Sequence, residues 1–113
     1  MQDPRGKSSH PLQSAFAGDP DMMDLVEMFV RELPDRVEAL NGALQQSAFP
    51  DLQRLSHQLK GASAGYGFPD IGTAAGQVEQ TLRSSGNDYS GVRVEDLARQ
   101  VDDLVELCRR ATI

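Results

Sequence analysis

Leu55-Ser56-His57-Gln58-Leu59-Lys60-Gly61-Ala62-Ser63-Ala64-Gly65-Tyr66-Gly67-Phe68 decides how this chain is read. As a helix, at about 100° per residue, the stretch and the residues before it place Leu52, Leu55, Leu59, Ala62 and Tyr66 at spacings of three and four. Those five residues make one apolar stripe. His57 lies almost opposite the stripe. Gln53, Lys60, Gly61 and Ala64 stand three, four or seven residues from it and share its face. One side of this helix is built for burial. The other holds out an imidazole, with a cation and a residue lacking a side chain beside it.

Such a face has a chemical use. A neutral imidazole is a nucleophile near pH 7. Lys60, one turn on, can approach the oxygens of a phosphoryl group carried on that ring. Gly61 leaves a flat spot where another protein's surface can come close. A lone histidine on a polar face is more often only a solvated residue, and Lys60 alone is an ordinary surface lysine. Gly61 weighs against that reading. Glycine inside a helix costs about 1 kcal/mol relative to alanine, so a helix that keeps one beside an exposed histidine needs the missing side chain.

His57-Gln58-Leu59-Lys60-Gly61, with Gly67-Phe68 ten and eleven residues after the histidine, resembles the core of the histidine-containing phosphotransfer (HPt) domain. That family carries His-x-hydrophobic-Lys-Gly, then small residues, then a glycine at this distance. The likeness extends upstream to Phe29-Val30-Arg31-Glu32-Leu33-Pro34-Asp35-Arg36-Val37 and downstream to Val78-Glu79, a hydrophobic residue followed by Glu. It covers roughly residues 12 to 110. Ser56 stands where alanine is common, and Ile71 where leucine is usual.

The resemblance implies a phosphorelay intermediate. His57 would take a phosphoryl group, on Nε2, from a response-regulator receiver aspartate and pass it to another receiver. Lys60 would stabilise that group. Gln53, Gln58, Gly61 and Ala64 would form the partner-docking face, and Gly67 the structural glycine after the site. A phosphocarrier of this kind is not an enzyme and has no ATP site. It needs no cofactor of its own, with Mg²⁺ expected on the partner receiver. The implied partners are a receiver domain, a histidine kinase, or both; the expected setting is cytoplasmic and the expected state a monomer. Two other readings stay open. One is the phospho-accepting substrate domain of a chemotaxis-type histidine kinase, which carries a very similar histidine motif. The other is a non-chemical helical adaptor in which His57 is incidental.

The rest of the sequence bounds these readings. Its 113 residues suffice for one domain with one core. Aromatic residues are 5% and Trp is absent, so the core must be mainly Leu, Val, Ala and Met. A net charge of −6 argues against a nucleic-acid partner. One cysteine cannot make an internal disulfide, which fits a reducing compartment. No apolar run reaches the roughly 18 residues of a membrane span, and no signal peptide is evident. Two histidines, one in the tail, give no metal-binding pair of the HxxxH or ExxH kind.

Taken in order, residues 1–11 read as a polar tail or linker and residues 12–113 as the domain. Leu12 to Phe16 is expected to make a short helical turn that caps the bundle. Asp19-Pro20 reads as N-cap and first position of a helix over about 20–47, with Asp21 and Asp24 at its positive end. Its stripe is Met22, Val26, Phe29, Leu33, Val37, Leu40 and Leu44, and Pro34 should bend it. The histidine helix spans about 50–65. A third helix, about 69–85, carries Ile71, Ala75, Val78 and Leu82, with Gly72 and Gly76 as a ridge for close helix approach. Ser84-Ser85-Gly86-Asn87-Asp88 is a turn cluster. The last helix, about 91–111, presents Val94, Leu97, Val101, Leu104 and Cys108, the cysteine as a small core residue. No strand periodicity and no internal repeat appears. Four amphipathic segments with short connections predict an all-α, antiparallel up-down four-helix bundle, with His57 on an outer face.

Overall fold

The structure, a computed structural model, describes residues 10–113. Its elements are β1 (Leu12–Gln13), α1 (Met23–Gln45), α2 (Phe49–Gly65), α3 (Pro69–Arg83), α4 (Val94–Arg110) and β2 (Ala111–Thr112). The four predicted helices are present. Each packs on two neighbours, in a ring running α1, α2, α3, α4 and back to α1, and α2 against α3 is the most extensive contact. Phe29, early in α1, stacks on Tyr66 at the end of α2 and on Phe68, with centroids 5.2 and 5.6 Å apart. Gly72, early in α3, lies against the second half of α2. Both contacts set the start of one helix against the end of another, as an up-down bundle requires. Leucine and valine dominate the core, joined by Phe29, Phe68, Ile71, Ala75 and Cys108. Burial pushes the Cys108 thiol up to about 12, so it packs as a small apolar group.

Several expectations need correction. The chain is not free of sheet: Leu12 and Gln13 pair in parallel with Ala111 and Thr112. Two residues are too few for an alternating pattern, and the pairing exists only because the two ends of the chain meet. Leu12–Phe16 is accordingly not a helical turn. Successive reverse turns follow β1, closed by Ala17 N–H to Ser14 O and Asp19 N–H to Phe16 O. Arg110 Nε donates to the His10 carbonyl at 2.9 Å. The start of the polar tail, residues 1–9, lies outside the described residues. Asp19 does not cap α1, which begins at Met23. Its side chain closes a tight local turn by accepting the Asp21 N–H, and the helix starts one turn later. α1 continues through Pro34. Val94 is not core; as the first residue of α4 it is 55% exposed, and the buried stripe begins at Leu97.

The chain before α1 is fastened to the turn after α2. Ser14 Oγ donates to Tyr66 O at 2.7 Å, and Ala15 N–H donates to Gly67 O at 2.8 Å. Gly67 has φ +86, and a Cβ there would lie 2.5 Å from Ser14 Oγ and 2.8 Å from Ala15 N. A side chain would be strained by the backbone and would also evict the N-terminal segment. Gly67→Ala is therefore expected to destabilise the fold by about 2–4 kcal/mol. Urea denaturation of both proteins measures this; equal midpoints would refute the account of this turn.

Candidate functional site

The buried face of α2 is not the stripe read from sequence. Leu52, Ser56, Leu59 and Ser63 are buried, while Leu55, Ala62 and Tyr66 are only half-buried. At 100° per residue this rotates the helix by roughly 50° toward α3. The cause is the glycine ridge. A Cβ on Gly72 would lie 3.4 Å from Lys60 O and 3.8 Å from Ser63 Cβ, and one on Gly76 3.3 Å from Lys60 Cδ. With no side chains on that ridge the two backbones approach closely, and only small residues such as serine fit between them. Ser63 Oγ is satisfied by Leu59 O at 2.6 Å. Ser56 Oγ has no partner among the described residues, so a hydroxyl there adds nothing that alanine would lack.

The rotation brings His57 and Lys60 beside α3, where Glu79 meets both. Glu79 stands seven residues after Gly72 and three after Gly76, on the same ridge. Its side chain is 6% exposed, whereas those of His57 and Lys60 are 64% and 49% exposed. Glu79 Oε2 lies 2.6 Å from His57 Nδ1, and Oε1 accepts from Lys60 Nζ at 3.2 Å. Arg83, one turn along α3, is 3.8 Å from Oε2. Burial alone would raise the Glu79 carboxyl. Hydrogen bonds from Lys60 and His57, together with their charge, more than offset it and hold the group below its ordinary 4.5.

An ionised carboxylate can only accept, so Nδ1 of His57 carries the hydrogen in this bond. In the neutral ring Nε2 then bears the lone pair. No described residue hydrogen-bonds to Nε2. Around the ring, Gln58, Gly61 and Ala64 are exposed, and a Cβ built on Gly61 meets nothing within 4 Å. Gln53 is half-buried, with its Oε1 taken by the Tyr89 hydroxyl at 2.8 Å. A largely exposed imidazole with Nδ1 bonded and Nε2 unpartnered among the described residues therefore stands beside an open surface, with Lys60 one turn on.

The model of the Hpt domain family matches residues 24–110. The chain belongs to the HPt domain family. No match emerged among curated proteins or among solved structures. HPt domains are helical phosphocarrier modules of two-component signalling, and they exchange phosphoryl groups with receiver domains and histidine kinases. The match takes in the four helices, short of Met23 alone, and leaves out both two-residue strands and the turns before α1. No helix among the described residues is long and apolar enough to cross a membrane.

Within this HPt domain, the residues singled out from sequence do not all come together. His57, Lys60, Gly61, Ala64 and Gln58 lie on one exposed surface of α2, with Gln53 at its edge. Gly67 stands apart, at the turn that receives the N-terminal segment. Sequence reasoning missed Glu79 as a site residue, although a signal existed. Gly72, Gly76 and Glu79 fall at i, i+4 and i+7, so a ridge built to touch the histidine helix must carry Glu79 into contact with it. It also missed Arg83 and Tyr89.

Proposed function

We propose that His57 is the phospho-acceptor of this HPt domain and works as a phosphorelay intermediate between receiver domains. The observation that carries the reading is the Glu79 contact, which takes Nδ1 and leaves Nε2, on a side chain 64% exposed, without a partner among the described residues. In the forward step the Nε2 lone pair attacks phosphorus of an aspartyl phosphate. The N–P bond forms as the P–O bond to the aspartyl carboxyl breaks, and the aspartate leaves with the electron pair. The ring becomes cationic, and the Nδ1 hydrogen stays in its bond to the Glu79 carboxylate, which balances the charge. Transfer to the next receiver reverses these steps. Lys60 neutralises phosphoryl oxygens, while Gln58, Gly61 and Ala64 give the partner a flat approach. Mg²⁺ and the remaining charge neutralisation belong to the partner's acidic pocket. Incubation with a phosphorylated receiver and Mg²⁺ should give acid-labile, base-stable label on the protein; absence of label would refute the proposal.

Docking and chemistry are separable on this face. Gly61→Glu projects a charged side chain into the open space and is expected to weaken receiver binding in a titration, with the fold kept. Lys60→Ala should leave binding intact and lower the transfer rate at saturating receiver, by about tenfold for one lost charge contact to the phosphoryl group. A Gly61→Glu protein that bound and transferred like the parent would show that the partner docks elsewhere.

A further inference from the structure

Tyr89 has φ +60, in the left-handed region that bulky residues avoid. Such a conformation persists only where surrounding contacts hold it, and it gathers at functional positions. The loop around it is closed by Gly91 N–H to Ser85 O at 2.9 Å and Tyr89 N–H to Gly86 O at 3.2 Å. Its ring packs on Phe49 with centroids 5.8 Å apart, and its hydroxyl donates to Gln53 Oε1. Gln53 is one helical turn before His57. With Oε1 occupied by a donor, the amide of Gln53 is fixed in orientation and has its N–H groups left to give.

Those groups border a shallow recess. Pro50, Gln53, Arg54, His57, Arg83 and Tyr89 line it, with Glu79. Glu79 is the only carboxylate among these residues, and His57, Lys60 and Arg83 already engage it. Arg54 pairs with Asp51 at 3.6 Å and Arg83 with Glu79 at 3.8 Å, each through one nitrogen, so further guanidinium N–H groups and the Gln53 amide remain as donors, with the imidazole as one wall. Packing of Tyr89 on Phe49 accounts for the ring alone; it does not call for a hydroxyl on Gln53. The chemistry that matches the donors is an oxyanion, and the phosphoryl group on His57 is the one that arises at the wall of the recess.

We propose that Tyr89 orients Gln53 as a hydrogen-bond donor to the phosphoryl group on His57, so that the recess cradles that group and prolongs the life of the phosphohistidine. The inference rests on His57 as acceptor. Hydrolysis of the N–P bond needs a water that approaches phosphorus in line with the leaving nitrogen. Donors that hold the phosphoryl oxygens against the recess fix the group in its resting orientation and hinder that approach, and Tyr89 and Gln53 act as positioning residues.

Phosphoramidate tests this without a protein partner. Nε2 attacks its phosphorus, the P–N bond breaks, and ammonia leaves with the electron pair. After the reagent is removed, loss of phosphohistidine is followed by ³¹P NMR in the parent, Tyr89→Phe and Gln53→Glu. Tyr89→Phe keeps the ring and should shorten the half-life roughly two- to threefold, the effect of one neutral hydrogen bond. Gln53→Glu keeps an acceptor for Tyr89 but sets an anion against the phosphoryl group, and should shorten it by about fivefold or more. The side-chain amide resonances of Gln53 should also move when the parent is phosphorylated. An unchanged half-life in either variant, or an unmoved amide, overturns the cradle while leaving His57 as acceptor. A parent that takes no phosphoryl group on His57 overturns both.

Discussion

His57→Gln is expected to accept no phosphoryl group from a phosphorylated receiver, while its fold and most of its stability survive. The proposed chemistry needs a nitrogen lone pair, and an amide nitrogen has none to give. The amide can still donate to Glu79, so the buried carboxylate keeps a partner in addition to Lys60. The cost in stability should stay within about 1 kcal/mol, the scale of one exchanged hydrogen bond. Label retained at the parent's level would place the acceptor elsewhere. His10, the other histidine, would then be the residue to replace.

Glu79→Ala should slow phosphorylation of His57 by about ten- to a hundredfold without abolishing it. The carboxylate fixes the Nδ1–H tautomer and balances the charge that grows on the ring as Nε2 attacks. A hydrogen bond to a charged group contributes about 1.5–3 kcal/mol, which sets that range. Glu79→Gln should fall between parent and Glu79→Ala, because it still accepts from Nδ1 but carries no charge. The effect on stability should be smaller, about 1 kcal/mol near neutral pH. Lys60 and Arg83 are 49% and 59% exposed, so water takes over much of what the carboxylate supplied. That contribution has a definite pH dependence. Glu79 titrates below its ordinary 4.5 in the folded protein, so its stabilisation is fully present above about 4.5 and is lost as pH falls through the lowered folded value. Urea midpoints of parent and Glu79→Ala should converge as the pH drops below 4.5. A gap that stayed constant or widened there would contradict the pairing, and an unchanged phosphorylation rate would contradict the role given to the carboxylate.

The four helices were legible because each carries an apolar stripe at helical spacing and two of the three connections between them contain glycine. The end of α2 and the start of α3 stand where expected, and the other helix limits shifted by one to three residues, as end effects do. What escaped was made by tertiary contact. The pairing of β1 with β2 is a meeting of chain ends. The burial of Ser56 and Ser63 follows from the glycines of another helix, which no pattern within α2 could report. His57 and Lys60 were readable because their spacing lies within one helix. Glu79 required the ridge of α3 to be laid against α2, and its spacing from Gly72 and Gly76 held that information. Tyr89 had a weaker signal, a single aromatic beside a run of turn residues, and nothing in its neighbours announces a left-handed backbone or a bond to Gln53.

On the function proposed, Nε2 of His57, the nitrogen that Glu79 leaves unpartnered among the described residues, carries the phosphoryl group. ¹⁵N–³¹P correlated NMR on ring-labelled protein, after reaction with a phosphorylated receiver and Mg²⁺, tests it directly. One nitrogen-bonded phosphorus is expected, coupled to Nε2 of His57, with Nδ1 still protonated. Phosphorus on Nδ1, phosphorus on His10, or no nitrogen-bonded phosphorus would contradict it.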